Sequence, residues 1–171
     1  PASGKILSGG IDANALHKLL IFNMLFGDGM SSRLYQNLRE KYGLAYSIYS
    51  SVSLYSDCAA FYIYAGTDIE TETKTEILIL KEISKIFDRG VNASELSRAK
   101  EQLKTNIFMG EESLSGRMQS LVKQELFAYE RTGNSEKIDI IDSVTISDMN
   151  EFIAEHFAPY TFNKVIIRGS Q

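Results

Sequence analysis

A tight turn followed at once by a helix is encoded by residues 27–47, which read GDGMSSRLYQNLREKYGLAYS. Gly27 and Gly29 can adopt the positive φ values that a tight reversal needs. Ser31 or Ser32 can then cap the free backbone amides at the start of the helix. The stretch therefore predicts a sharp turn and a capped helix directly after it, which constrains where the flanking elements can lie.

The same helix has a predicted end only a few residues later. Leu34, Leu38 and Tyr42 recur every four residues, which predicts a helix with one buried stripe. Gly43 stands where helices commonly end in a left-handed residue, and the β-prone run LAYSIYS follows at once. We therefore expect the chain to pass from helix to strand within about one turn of backbone.

This junction places two hydrogen-bond donors seven positions apart, with Arg39 in the last helical turn and Tyr46 two or three residues into the strand. Arginine stays charged at any ordinary pH, and together the two side chains can hold a carbonyl oxygen or a developing oxyanion. A plainer role is also compatible with the pattern. In it, the Arg39 guanidinium faces solvent near the negative end of the helix dipole, and Tyr46 packs in the core. The spacing alone leaves both roles open.

Length and composition indicate one globular domain. The 171 residues suffice for a full core but are too few for two domains of ordinary size. A hydrophobic content of 44% with 23% charged residues argues against disorder. The net charge of −4, without a basic cluster, argues against nucleic-acid binding. No apolar run approaches the ~20 residues of a membrane span. Cys58 is the only cysteine, so no internal disulfide can form, and the cellular compartment stays undetermined.

The remaining segments predict an α+β fold. Residues 1–10 are rich in glycine and serine and are expected to form a loop or a boundary of the fragment, with 11–171 as a single domain. Two β-prone runs, 44–54 and 58–66, are separated by a short turn and predict an antiparallel hairpin. Helix pairs follow, and a last strand is expected at 163–167. This alternation predicts an antiparallel sheet with helices packed on one face.

A family resemblance can be read from several blocks that occur in order. The run LFGDGMSSRLYQNLREKYGLAYSIYSS is followed by YAGTD, GVNASELSRAKEQLKTNIF and VTISDMNEF. These blocks resemble the second half-domain of the insulinase, pitrilysin and mitochondrial processing peptidase family of zinc metallopeptidases. The likeness covers residues 12–169, and several ordered blocks are far more specific than one short motif.

The resemblance implies one half of a zinc metalloendopeptidase that closes around unfolded peptides. In that family the first half carries an H-x-x-E-H zinc motif, and the second half binds no metal. The second half supplies an arginine and a tyrosine, seven residues apart, that contact the substrate backbone. That spacing falls on Arg39 and Tyr46, which are therefore the implied substrate-binding residues. No catalytic or metal-binding residue is implied within this fragment.

The chain contains a degenerate copy of the zinc motif near its end, FIAEH at residues 152–156. Phenylalanine replaces the first histidine, so this segment supplies at most one imidazole. A zinc site needs three protein ligands. We therefore expect no metal site here.

The partner implied by the resemblance is an N-terminal zinc-binding half-domain or subunit, and the zinc ion is expected there. The chain alone is therefore expected to be inactive. A missing strand would leave an exposed sheet edge that invites self-association. An alternative function is that of a subunit that retains the architecture without hydrolysis, such as a scaffold subunit of a respiratory complex or the non-catalytic partner of a separate active chain.

Two departures from the family pattern concern the glycine turn. Three glycines often stand where this chain has Gly27, Asp28 and Gly29, so a carboxylate enters the turn. The long glycine-rich insertion of the non-catalytic subunit of the mitochondrial processing enzyme is absent, because Gly29 runs straight into Met30. The missing insertion points away from that subunit and toward the shorter bacterial-type peptidases. For a bacterial protein, a cytoplasmic and a periplasmic location both stay open.

Overall fold

The computed structural model describes residues 2–8, 13–55, 58–126, 133–158 and 162–168. Within these ranges the chain forms four strands and six α-helices. In chain order they are β1 Ala2–Ser8, α1 Ala13–Phe26, β2 Ser47–Leu54, β3 Cys58–Gly66, α2 Glu72–Arg89, α3 Ala93–Glu112, α4 Leu114–Leu126, α5 Asn134–Ser143, α6 Ile146–His156 and β4 Asn163–Val165.

Two short helical segments complete the list of elements. A π-helix, Tyr35–Glu40, lies between α1 and β2, and a 3-10 turn, Ile69–Thr71, leads into α2. None of the described helices combines the length and the apolar character that crossing a membrane requires.

The described strands form one antiparallel sheet in the order β2-β3-β1-β4. Burial alternates along β3, where the side chains of Phe61 and Ile63 are buried and Tyr64 is exposed. On the open face, the Tyr64 ring stacks on the Tyr49 ring of β2 at a centroid distance of 5.1 Å. Helices therefore cover one face of the sheet, and the predicted α+β fold is confirmed.

The predicted loop at residues 1–10 is wrong for Ala2–Ser8, which form the inner strand β1. This strand pairs with β3 over seven residues and with β4 over three. The glycine and serines of the segment have low β propensity, so the local sequence gives no strand signal. Pairing with neighbours on both sides overrides that propensity. Residues 1, 9 and 10 lie outside the described part of the chain.

The predicted hairpin is confirmed, although β2 begins at Ser47 rather than at residue 44. Residues 56–57 of its turn lie outside the described part. The last strand is also shorter than predicted and ends at Val165 rather than at residue 167. Val165 pairs with Ala2, where β1 begins, so β4 ends at the point where its partner strand begins.

Aromatic packing fixes α1 against the covered face of the sheet. The rings of Phe22 and Phe157 stack at 4.0 Å, and Phe22 also contacts Phe61 of β3 at 5.3 Å. All three side chains are almost completely buried. Burial of each contributes about 1.5–3 kcal/mol, and the ring geometry adds to this. The end of α1, and the turn that follows it, are thereby held against the hairpin.

Candidate functional site

The turn after α1 lies against strand β2. A β-carbon on Gly27 would lie 2.4 Å from Ser50 Oγ and 2.5 Å from Ser50 N, which leaves no room for a side chain. The Ser50 amide donates a hydrogen bond to Gly27 O at 3.1 Å. Gly29 has the positive φ that the sequence predicts, at 96°, whereas Gly27 lies outside that region. Gly27 is therefore required by a close backbone approach rather than by its φ angle.

Asp28 occupies the position where the family often has glycine. Its amide donates to Asn23 O at 2.9 Å, and Asn23 Nδ2 donates to Asp28 Oδ2 at 3.4 Å. Burial raises the pKa of the Asp28 carboxyl. This carboxylate is held within the turn and does not line the cleft described below.

Ser32, rather than Ser31, caps the helix that follows. The Tyr35 amide donates to Ser32 Oγ at 3.4 Å, and the Gln36 amide makes the first helical bond, to Ser32 O at 3.0 Å. Ser31 Oγ instead lies 3.4 Å from the side-chain oxygen of Gln102 on α3. The capped helix start predicted from the sequence is confirmed.

The helix then widens and ends at a glycine. The Lys41 amide donates to Gln36 O at 3.2 Å, a bond that spans five residues. Such π-type turns are frequent at functional sites. Gly43 has φ 60°, and its amide donates to Arg39 O at 3.0 Å. This is the left-handed helix end that the sequence predicts.

The predicted apolar stripe stops where the helix ends. Leu34 and Leu38 are completely buried, but Tyr42 is 45% exposed. The π-helix ends at Glu40, so Tyr42 lies beyond it and does not continue the face that Leu34 and Leu38 share. The prediction that Tyr42 belongs to the buried stripe is therefore wrong.

Arg39 and Tyr46 line the same open cleft, which has a volume of about 480 Å³. One wall is the chain after the π-helix, and the other is the end of β3 with residues 66–68. The Arg39 guanidinium lies over the Tyr35 ring, 5.0 Å from its centre. Tyr46 is 91% exposed, which excludes the core role for its side chain.

Backbone and threonine hydrogen bonds hold the two walls of this cleft together. Tyr46 lies immediately before β2 rather than within a strand, and its amide donates to Gly66 O at 3.1 Å. Thr67 Oγ1 donates to Leu44 O at 2.7 Å and lies 2.6 Å from Thr71 Oγ1. The main chain beneath Tyr46 is therefore tied to the end of β3.

The cleft offers two side-chain hydrogen-bond donors, the Arg39 guanidinium and the Tyr46 hydroxyl. Within the described ranges, no hydrogen bond or ion pair engages the Arg39 guanidinium or the Tyr46 hydroxyl. Both groups donate hydrogen bonds, and the guanidinium carries a permanent positive charge. Donors arranged in this way can hold a peptide carbonyl or the negative charge that develops on it.

Two further polar residues, Thr67 and Asp68, line the cleft. Neither residue was identified from the sequence as part of the site. The one signal that could have singled them out is the YAGTD block, in which they are the last two residues.

A second cavity of about 440 Å³ lies on the other side of the end of β3, where it shares Gly66 and Thr67 with the cleft. Its polar pair is Glu72 and Arg168, joined by two hydrogen bonds of 3.0 and 2.9 Å. The hydrogen bond from Arg168 lowers the pKa of the Glu72 carboxyl. Because this pair is internally satisfied, it stabilises the contact between α2 and the end of the chain.

The described residues offer no site for a zinc ion, which the resemblance places in the partner half. Among them, no three histidine, cysteine, aspartate or glutamate side chains come together as potential ligands. In the 152–156 segment, Phe152 is a core residue, 5% exposed, and the ring of His156 packs edge-on against it at 4.7 Å. Since zinc needs at least three protein ligands, this part of the chain offers no zinc centre.

Fold and cleft together define an α+β domain that presents an arginine and a tyrosine on one cleft, and its described residues form no metal centre. A family model described as "Peptidase M16 inactive domain" matches residues 8–103. The chain therefore belongs to the family of peptidase M16 inactive domains, which confirms the resemblance read from its sequence.

Relatives and solved structures agree with this assignment. An uncharacterized zinc protease of Rickettsia felis is 33% identical over 159 residues, which cover 91% of this chain and 38% of that protein. The uncharacterized zinc protease YmxG of Bacillus subtilis is 31% identical over 142 residues, 83% of this chain and 35% of that protein. The crystal structure of a peptidase M16 inactive domain from Pseudomonas fluorescens superposes with a TM-score of 0.80 at 20% identity, covering 94% of this chain and 39% of the other. This last likeness shows the fold. The chain spans little more than a third of the length of the two relatives.

Proposed function

We propose that this domain is the substrate-contacting half of a zinc metalloendopeptidase that cleaves unfolded peptides, with its zinc site in a partner half. The observation that carries the proposal is the position of Arg39 and Tyr46 on one open cleft. Membership in the M16 inactive domain family and the naming of its relatives as zinc proteases support the reaction class. Hydrolysis would take place in the partner half, where the resemblance places the H-x-x-E-H motif.

In this proposal, Arg39 and Tyr46 act on the carbonyl oxygen of the scissile peptide bond. The guanidinium and the phenol each donate a hydrogen bond to that oxygen, which orients the peptide. When water adds to the carbonyl carbon, negative charge develops on the oxygen, and both donors stabilise it. Donors that are already in place need no reorganisation during the reaction. The hydrogen bond from the Tyr46 amide to Gly66 O holds this wall of the cleft against the end of β3.

The test is substitution of each donor in the enzyme assembled with its zinc-binding half. Loss of one donor of this kind typically costs about 2.7–4 kcal/mol of transition-state stabilisation. Arg39→Ala and Tyr46→Phe should therefore each lower kcat/KM roughly 100-fold or more. Both side chains are exposed, so thermal stability should change little, with at most about 1 kcal/mol lost with the Arg39 contact to Tyr35. Steady-state kinetics and thermal unfolding measure the two effects.

Tyr55→Phe is the matched control for Tyr46→Phe. Tyr46 and Tyr55 flank β2 at opposite ends, and Tyr55 is 56% exposed. Arg89→Ala, at the far end of α2, serves the same purpose for Arg39. Full activity in both cleft variants would refute the assigned role. An assembled, zinc-loaded wild type that hydrolyses no peptide would instead support the alternative function, that of a subunit without hydrolytic activity.

A further inference from the structure

We infer that Glu82 of α2 is a positioning residue for Arg39, because it holds the π-helix that carries the guanidinium. The inference rests on the proposed function and adds to it a residue that lies outside the cleft. It starts from a buried carboxylate that the proposed mechanism does not use, since Glu82 is only 4% exposed. An ionised carboxylate is costly to bury unless hydrogen bonds or an opposite charge compensate it, so the partners of this side chain determine its role.

Each carboxylate oxygen of Glu82 has one partner. Lys85, one turn further along α2, forms an ion pair with Oε1. Asn37 Nδ2, in the π-helix, donates a hydrogen bond to Oε2 at 3.1 Å. Among the described residues, Asn37 is the only partner of this carboxylate outside α2. Glu82 therefore links α2 to the π-helix through this one bond.

The link reaches the middle of the π-helix, Tyr35–Glu40. The side chain of Gln36 also makes a hydrogen bond, to Met30 O at 2.7 Å, but that bond stays within the same stretch of chain. In the described part of the structure, the bond to Glu82 is thus the side-chain hydrogen bond that ties the π-helix to another element. Since π-helical turns are rare in proteins, we expect a contact of this kind to help hold the geometry.

Asn37 and Arg39 lie on different sides of the π-helix. Residues two positions apart on a helix do not face each other. In agreement with this, Asn37 is half-buried, the intervening Leu38 is completely buried, and Arg39 is exposed on the cleft. Fixing Asn37 on the side of α2 therefore fixes the direction in which the Arg39 side chain leaves the helix.

Loss of the link should misplace Arg39 without removing it. A displacement of about 1 Å at a reacting site can cost about 100-fold in rate. Glu82→Leu removes both acceptor oxygens and should lower kcat/KM of the assembled enzyme about tenfold, which is less than the loss expected for Arg39→Ala. Asn37→Ala removes the donor and should have a similar effect. Glu82→Gln keeps an acceptor for Asn37 and should retain about half of the wild-type kcat/KM or more.

The deciding experiment is a double-variant cycle in the assembled enzyme. If Glu82 acts through Arg39, Glu82→Leu should cause no further loss in an Arg39→Ala enzyme, because the group that it positions is already gone. In a Tyr46→Phe enzyme, the same substitution should still cost about tenfold in kcat/KM. A tenfold loss that persists in the Arg39→Ala background would overturn the inference, since it would reveal a general effect on the fold.

Lys85→Met is the matched control, because it removes the ion pair to the same carboxylate and leaves the Asn37 bond in place. It should lower the melting temperature without lowering kcat/KM. A loss of activity in Lys85→Met equal to that in Glu82→Leu would contradict a role that depends on the bond to Asn37.

Hydrogen exchange on the assembled protein separates this inference from the proposed function. The Lys41 amide donates to Gln36 O, so its exchange rate reports opening of the π-turn. Glu82→Leu should accelerate exchange of this amide roughly tenfold, and Lys85→Met should not. Unchanged exchange in Glu82→Leu would overturn the inference even if no peptide is hydrolysed. If Arg39→Ala keeps full activity, the proposed function fails, and the exchange rates still decide whether Glu82 holds the turn.

Discussion

Gly27 and Gly29 lie in the same turn, and each position requires glycine for a different physical reason. Gly29 has a φ of 96°, which favours glycine over residues with a β-carbon. Gly27 is constrained by the distance to Ser50, whose amide nitrogen would lie 2.5 Å from an added β-carbon. A sequence shows both as the same letter, and only the position of strand β2 distinguishes them.

The first prediction concerns Gly27→Ala. The added methyl group meets the backbone of β2, so the strand must shift and the Ser50 to Gly27 hydrogen bond lengthens. Overpacking of this kind typically costs about 1–3 kcal/mol in the free energy of unfolding. Urea denaturation of the domain measures the loss.

The same substitution at Gly110 is the control, because Gly110 lies inside α3 and an added β-carbon would meet nothing within 4 Å. Gly110→Ala should stabilise the domain by about 0.5–1 kcal/mol through helix propensity. Equal effects of the two substitutions would contradict the role given to Gly27.

At the scale of elements, the π-helix determines where Arg39 lies relative to Tyr46. The helical residues that lead into it are held by Arg33, which donates two hydrogen bonds of 2.9 and 2.7 Å to Glu95 of α3 and one of 3.1 Å to Gly90 O. Burial opposes ionisation of Glu95, but the hydrogen bonds from Arg33 and Asn92 lower the pKa of its carboxyl overall. Both ends of this short segment are thus held, one by an ion pair and the other by the left-handed Gly43.

A second prediction tests the helix end. Gly43 has φ 60°, and an added β-carbon would meet nothing within 4 Å, so a substitution there changes backbone energy alone. Gly43→Ala should cost about 1–2 kcal/mol in the free energy of unfolding, the penalty for a left-handed alanine. Because the same glycine directs the chain from Arg39 to Tyr46, kcat/KM of the assembled enzyme should fall as well.

Gly43→Asn is the graded comparison, since asparagine tolerates the left-handed region better than alanine does. It should retain more stability and more activity than Gly43→Ala. Thermal unfolding and peptide kinetics on both variants check this order, and an alanine variant as stable as wild type would contradict the explanation.

For the whole molecule, the described residues hold the cleft of Arg39 and Tyr46 but no set of metal ligands. We therefore predict that the isolated chain shows no zinc-dependent peptide hydrolysis and that the activity requires the partner half. Zinc analysis after dialysis and a peptide cleavage assay test this prediction, with the assembled enzyme as the positive control. If the isolated chain bound stoichiometric zinc tightly and hydrolysed peptides, the proposal that the zinc site lies in the partner half would be wrong.

The sheet also has two edges in the described structure, β2 and β4. Unpaired strand edges can pair with another chain, and β4 is only three residues long, which limits its capacity to do so. Self-association through an edge remains a prediction.

The sequence alone determined the features that depend on neighbours along the chain. A serine cap at Ser31 or Ser32, the Gly43 helix end, the antiparallel hairpin and the spacing of Arg39 and Tyr46 all follow from residues within a few positions of one another. The ordered blocks were sufficient to assign the family, and the expected α+β fold followed from the alternation of strand and helix signals.

Only the tertiary structure decided the features that depend on partners distant in sequence. The strand β1 exists because β3 and β4 pair with it, Gly27 is required because β2 lies against it, and Asp68 shares a cleft with Arg39 because the end of β3 lies beside the π-helix. Local propensity reflects only interactions between residues that are close along the chain. Long-range hydrogen bonds and close packing depend on contacts that local propensity does not encode.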